Sequence, residues 1–219
     1  MNKTEKLISI SSPAIGRALP DCTPEIATKF GSLGEELGEV LKTRNGFYAF
    51  ETALHIFPSQ RTCPPVSLEH WNEPRLWRAE YRGLADDALF FAEEAFGNQF
   101  CIRKGSVCFF EAETGDYREM AKSMEDWAKI ILEDYEFQTG FPLLHEWQVK
   151  NGRLQPGHRL IAKFPFVLGG EYVLDNLVAA DAVEIMRARG NIAWQLQDVP
   201  EGAEVEICLD EYPVKKTDS

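Results

Sequence analysis

The stretch Glu93–Trp127, EEAFGNQFCIRKGSVCFFEAETGDYREMAKSMEDW, constrains this chain more than any other. It predicts two strands joined by a tight turn, a third strand and then a capped helix. Lys104-Gly105 is a two-residue hairpin signal, because Gly readily adopts the positive φ that a primed turn requires. That turn sets Phe100 opposite Phe109 and Ile102 opposite Val107, all four on one sheet face. Cross-strand apolar pairs of this kind stabilise a sheet by about 0.2–1 kcal/mol each. The other face carries Gln99, Cys101, Arg103, Ser106, Cys108 and Phe110, and is only partly apolar. Glu113-Thr114-Gly115-Asp116 predicts a turn into a strand at Tyr117–Ala121. Ser123 is the expected N-cap of the helix, with Glu125 and Asp126 in the first turn, where negative charge suits the helix dipole. This is scaffold, with no reaction centre in it.

Around that scaffold, 219 residues suit one sizeable domain or a core with an appended subdomain. At 44% hydrophobic, the chain can bury a full core. No apolar run approaches the ~18 residues a membrane helix needs. The N-terminal run Leu7-Ile8-Ser9-Ile10 is too short and polar for a signal peptide, so a cytoplasmic protein is expected. Five cysteines, odd in number and without a CxxC pair, fit a reducing compartment. The hairpin register sets Cys101 across from Cys108, close enough to bridge without implying that they do. A formal net charge of −12 argues against nucleic acid and anionic membrane, both of which call for basic patches. It suits a basic protein partner, although acidity also serves plain solubility.

Taken in order, residues 1–22 form a loose N-terminal arm, rich in Ser and carrying Pro13 and Pro20. Thr23-Pro24-Glu25 starts a helix that carries Ile26, Phe30, Leu33, Leu37, Val40 and Leu41 and stops at Asn45-Gly46. Gly31, Gly34 and Gly38 weaken it, or else allow close packing against another element. Phe47–Phe50 is extended, and Glu51–Phe57 suits a turn of helix closed by Pro58. Ser59–Pro74 is a surface excursion carrying Trp71. Trp77–Tyr81 and Ala88–Ala92 are strands. The capped helix runs Met124–Gln138 with Trp127, Ile130, Ile131 and Tyr135 inward, and Leu143–Lys150 is a second helix. Arg159–Ala162 is a strand, Asp181–Arg189 and Asn191–Gln197 are helices separated by Gly190, and Val205–Leu209 alternates as a last strand.

The sequence carries few chemical motifs. His145-Glu146 lacks the second histidine of a zinc protease, since Val149 stands where it would fall. Gly31-Ser32-Leu33-Gly34 sits in a helical period and not at a strand-to-helix elbow. Gly169-Gly170 has no phosphate-loop continuation. No catalytic, cofactor-binding or metal-ligating residue is therefore expected, and no cofactor. What remains is surface recognition. Trp71 and Trp77 either plug the core edge or anchor a partner. Asp86, Asp87, Glu93 and Glu94 form either a solvated edge or an acidic rim beside them. These six are the candidate partner-binding residues.

Several of these features together resemble the SUKH superfamily, which includes fungal cell-wall-assembly regulators and many bacterial toxin-immunity proteins. The resemblance rests on the helix ending at Asn45-Gly46, on Phe91-Ala92-Glu93 leading to Phe96-Gly97-Asn98-Gln99-Phe100, and on Val107-Phe109, Glu113-Thr114-Gly115 and Ser123–Trp127. It covers roughly residues 24–135. It implies an α+β fold, with a central, mostly antiparallel sheet flanked by helices, and a non-enzymatic role, often the neutralising of a co-encoded toxin. Partners are diverse across the family, so no functional residue carries over.

The expectation is thus an arm (1–22), a SUKH-like core (23–138) and a C-terminal α+β extension packed on the core (139–219). The expected function is a cytoplasmic protein-binding module, an immunity protein whose partner is a basic toxin domain. A regulatory or scaffolding protein is the alternative. A hydrolase with paired carboxylates is a third reading, and it requires an enclosed pocket with acids facing each other.

Overall fold

The computed structural model describes residues 1–19, 23–60, 66–200, 207 and 212–213. Its spine is a six-stranded antiparallel meander in plain sequence order. The strands are β1 (Phe47–Ala49), β2 (Leu54–Ile56), β3 (Ala88–Glu94), β4 (Gln99–Arg103), β5 (Ser106–Phe110) and β6 (Tyr117–Ala121). The β4–β5 register is the expected one, with Phe100 facing Phe109 and Ile102 facing Val107. Lys104 and Gly105 both take positive φ, at 49° and 75°, as a type I′ turn requires. Cys101 faces Cys108, and both are free thiols. Cys22, Cys63 and Cys208 lie outside the described residues.

Among the described residues the α-helices are α1 (Lys3–Ile10), α2 (Glu25–Thr28), α3 (Gly31–Thr43), α4 (Leu68–Trp71), α5 (Met124–Glu133), α6 (Tyr135–Thr139), α7 (Phe141–Asn151) and α8 (Ala182–Leu196). Every residue of β3 is buried, because both faces of the sheet are covered. On the Phe100 face, Trp127 of α5 meets Phe91 and Phe100 edge-on at 5.1 and 5.5 Å, and α1 and α3 pack beside α5. On the other face Trp77 meets Phe90 at 5.0 Å and Tyr81 meets Phe110 at 5.2 Å. The Trp71 indole donates to Gln99 at 2.9 Å, which satisfies the polar residue on that half-apolar face.

Several expectations are corrected. The N-terminus is not a loose arm. Asn2 and Glu5 form a capping box on α1, and the Glu125 carboxylate accepts from the amides of Lys3 and Thr4 at 2.6 and 3.0 Å. The helix expected from Thr23 divides before Gly31, whose φ is +62°, and α2 folds back on α3. Gly34 and Gly38 permit that contact, since a Cβ on either would collide with Ala27 or Thr23. Glu51–Phe57 is not helical. Phe50, Glu51 and Thr52 turn through positive φ into β2, which pairs with both β1 and β3. A short apolar run does not by itself distinguish helix from strand. Trp77–Tyr81 is a 3₁₀ turn over Arg78–Tyr81, because the sheet offers no neighbour for a further strand there. The helix expected over Met124–Gln138 breaks at Asp134, where φ is −144°.

The C-terminal part holds a two-stranded sheet, β7 (His158–Ala162) with β8 (Leu177–Asp181), and then α8. Gly190 does not divide α8. It lets the helix cross Tyr81, whose Cδ2 would stand 2.7 Å from an added Cβ. The strand expected at Val205–Leu209 lies outside the described residues. The class is α+β, as expected. No helix among the described residues is long and apolar enough to cross a membrane.

Candidate functional site

The β3–β4 turn, Ala95-Phe96-Gly97-Asn98, is where the sheet meets the C-terminal part. The Ala95 amide donates to Thr139 O at 3.2 Å, and its carbonyl accepts from Leu160 N of β7 at 2.9 Å. The Phe96 carbonyl accepts from the Arg189 guanidinium of α8. Gly97 takes φ +82°, and an added Cβ would stand 3.2 Å from that guanidinium. Glycine thus serves both the turn and the close approach.

The two glutamates before this turn point to opposite faces and meet opposite surroundings. Glu93 sits in a buried trio, its Oε1 lying 2.9 Å from His55 Nδ1 and 2.9 Å from Arg159 of β7. Burial works against its charge, but Arg159 and the His55 hydrogen bond prevail and hold the carboxyl below its ordinary range. A carboxylate only accepts, so His55 presents its Nδ1 proton, and burial keeps the ring's own pKa low. Glu94 has no ion-pair partner among the described residues. Its oxygens accept from the amides of Phe96 and Asn98 at 2.9 and 2.8 Å, which fixes the turn. Burial outweighs those bonds and pushes its pKa up to about 8. A second buried pair joins Arg189 to Glu113 at 3.4 Å.

Over the turn opens a cleft of about 840 Å³. Its floor is Glu94, Phe96, Asn98, Phe109 and Glu111. One lip comes from α6 and the start of α7, with Phe137, Pro142 and Leu143; Tyr172 stands in the other. Gly140, φ +66°, lets Phe96 fill the base, because a Cβ there would strike the ring. Tyr172 stacks on Phe166 at 3.7 Å, and Phe96 packs edge-on against both. Phe137 is 78% exposed and Tyr172 51%. The Glu111 side chain lines the floor with no hydrogen bond or ion pair among the described residues, and burial raises its carboxyl against the pull of Arg189 and Arg118. Arg118 lies at the mouth over the Phe109 ring at 5.3 Å. The cleft is therefore apolar, aromatic at its rim and acidic at its base.

Residues 25–129 match the SMI1 / KNR4 family (SUKH-1). The matched segment spans the whole six-stranded sheet together with α2, α3, α4 and the start of α5. No curated protein matches the chain. Among solved structures, the crystal structure of Atu4351 from Agrobacterium tumefaciens is similar in fold, with a TM-score of 0.56 at 12% identity, covering 85% of this chain and 87% of that one. That likeness extends past the SUKH segment into the C-terminal part. The cleft straddles the same boundary. Its floor belongs to the SUKH segment, and its lips come from residues 136–143 and 172, beyond it.

The six residues nominated from sequence are scattered. Trp71 and Trp77 have no exposed surface and are core plugs, so neither is available as an anchor. Glu93 and Glu94 are 2% and 3% exposed and belong to the turn and its latch, not to a rim. Asp86 and Asp87 are exposed but lie before the opposite end of β3, roughly 20 Å away at strand rise. Only Glu94 touches the cleft. Phe137, Tyr172 and Glu111 were missed. The one signal for Phe137 was an aromatic off the inner face of its helix; nothing local marked the other two. Nor do the described residues gather a group of His, Cys, Asp or Glu able to hold a metal.

Proposed function

We propose that this chain is a non-enzymatic, cytoplasmic protein-binding module, an immunity protein that silences a basic toxin domain by gripping it at the cleft. The observation that carries the reading is the cleft rim, where Phe137 and Tyr172 stand in water beside an acidic hollow, on a chain of net charge −12. Exposed apolar groups clustered in this way mark interaction sites. The SUKH match supports a role of this kind. Glu94 commits both oxygens to backbone amides, which suits a structural carboxyl better than a hydrolytic one. A complex of ordinary size would bury about 1,600 Å², and opposite charge would speed its formation.

The test retains the chain on a resin, passes source-cell extract over it at low salt, and identifies what binds. The expected catch is a protein with a basic domain that is toxic when expressed alone and harmless when co-expressed with this chain. Its association should slow as salt screens the charges over a Debye length of about 8 Å at physiological strength. Failure to retain any protein, or a partner with no toxicity to relieve, would refute the immunity reading. A non-toxic basic partner would instead favour the regulatory alternative.

A further inference from the structure

We propose that the cleft is the seat of one basic side chain, arginine or lysine, carried on an extended partner segment beside an apolar residue. This rests on the protein-binding reading and adds the chemistry of what enters. The base of the cleft holds Glu94, whose oxygens are committed to the turn amides, and Glu111, whose side chain has no hydrogen bond or ion pair among the described residues. Two native cations act on Glu111 from a distance: Arg189, whose guanidinium is committed to Glu113 and the Phe96 carbonyl, and Arg118, which lies over Phe109; neither forms an ion pair with it. Glu136 adds a third acid among the lining residues. A positive head reaching the floor would meet the Glu111 carboxyl, which has no direct partner, in a partly desolvated place where pairing is strong, and would favour its charged form. Its aliphatic or planar stem would pass Phe96 and between the Phe137 and Tyr172 lips, surfaces suited to a guanidinium face or a lysine stem.

The volume exceeds what one side chain fills, and the excess is apolar wall, so a neighbouring apolar residue would enter with the cation. A macromolecular occupant is favoured over a small amine because the segment that supplies Tyr172 also exposes Phe164 at 51% and Val173 at 44%. A free amine would leave those side chains in water, whereas a chain passing over the lip would cover them.

The experiment pans a phage-displayed random-peptide library on the full-length protein. Enriched sequences should carry an Arg or Lys next to an aromatic or aliphatic residue. Synthetic copies should bind Glu111→Gln and Phe137→Ala at least about tenfold more weakly than the parent, with melting curves showing that both variants remain folded. Replacing the peptide's basic residue with Glu should abolish binding. Enrichment of peptides without a basic residue, binding indifferent to both variants, or no enrichment over an unrelated protein would each overturn the assignment. Native mass spectrometry showing a small amine held in the cleft would overturn it as well. The two readings fail separately. A captured basic protein that binds both variants normally would sink the cleft assignment and leave a protein-binding module that grips its partner elsewhere. Cleft-dependent peptides with no protein captured would do the reverse.

Discussion

Glu93 and Glu94 are neighbours in the chain, yet they titrate in opposite directions because strand alternation sends them to opposite faces. The linkage follows from the sign of each shift. Glu94 is raised from 4.5 to about 8, so the stability it lends in acid is lost as pH climbs through that interval. Glu94→Gln should flatten the curve of urea midpoint against pH between those limits, and an unchanged slope would show that Glu94 is ionised throughout. His55 acts the other way. Its lowered pKa gives stability that is present above 6.5 and lost as pH falls below it. The Arg159 pair is the residue-scale test of the latch. Arg159→Ala leaves the Glu93 charge buried without its cation and should cost about 3–5 kcal/mol by chemical denaturation. Adding Glu93→Gln should recover part of that loss.

At the scale of elements, local signals were read correctly where they were dense. Lys104-Gly105 and Ser123 specify a turn and a cap with a few residues each, and the β4–β5 register and the N-terminus of α5 follow from them. Elements shaped by distant partners were misread. Gly190 looked like a helix break, yet its missing Cβ is what allows α8 to cross the 3₁₀ turn at Tyr81. Gly190→Ala sets two effects against each other. Helix propensity gains about 1 kcal/mol, while overpacking costs about 1–3 kcal/mol. The ring is held by its hydroxyl bond to Ala112 O at 2.8 Å, so it cannot swing away and the penalty should win. A lower melting temperature for Gly190→Ala is expected; a higher one would mean that α8 shifts freely over Tyr81. Likewise Trp71, in a proline-rich excursion, left core plug and partner anchor both open, and its indole, bonded to Gln99 under the sheet, decides for the plug.

For the whole molecule, the site was illegible for a topological reason. Its floor comes from residues 94–118 and its lips from 136–143 and 172, so no window of sequence contains it. Acidity was legible, but where it concentrates was not. The arginines that bind the C-terminal part to the sheet have a further consequence. Arg159 and Arg189 are the counterions of Glu93 and Glu113, and both lie beyond residue 129, where the family match ends. An expression clone trimmed to the family limits would remove both counterions together with the segments that cover Glu93 and Glu113, opening that side of the sheet to water. Such a fragment should show less fixed tertiary structure than the full-length chain, with a broader thermal transition. Near-ultraviolet circular dichroism of the trimmed chain beside the full-length one would show whether the homology boundary is also a place where this polypeptide can be cut.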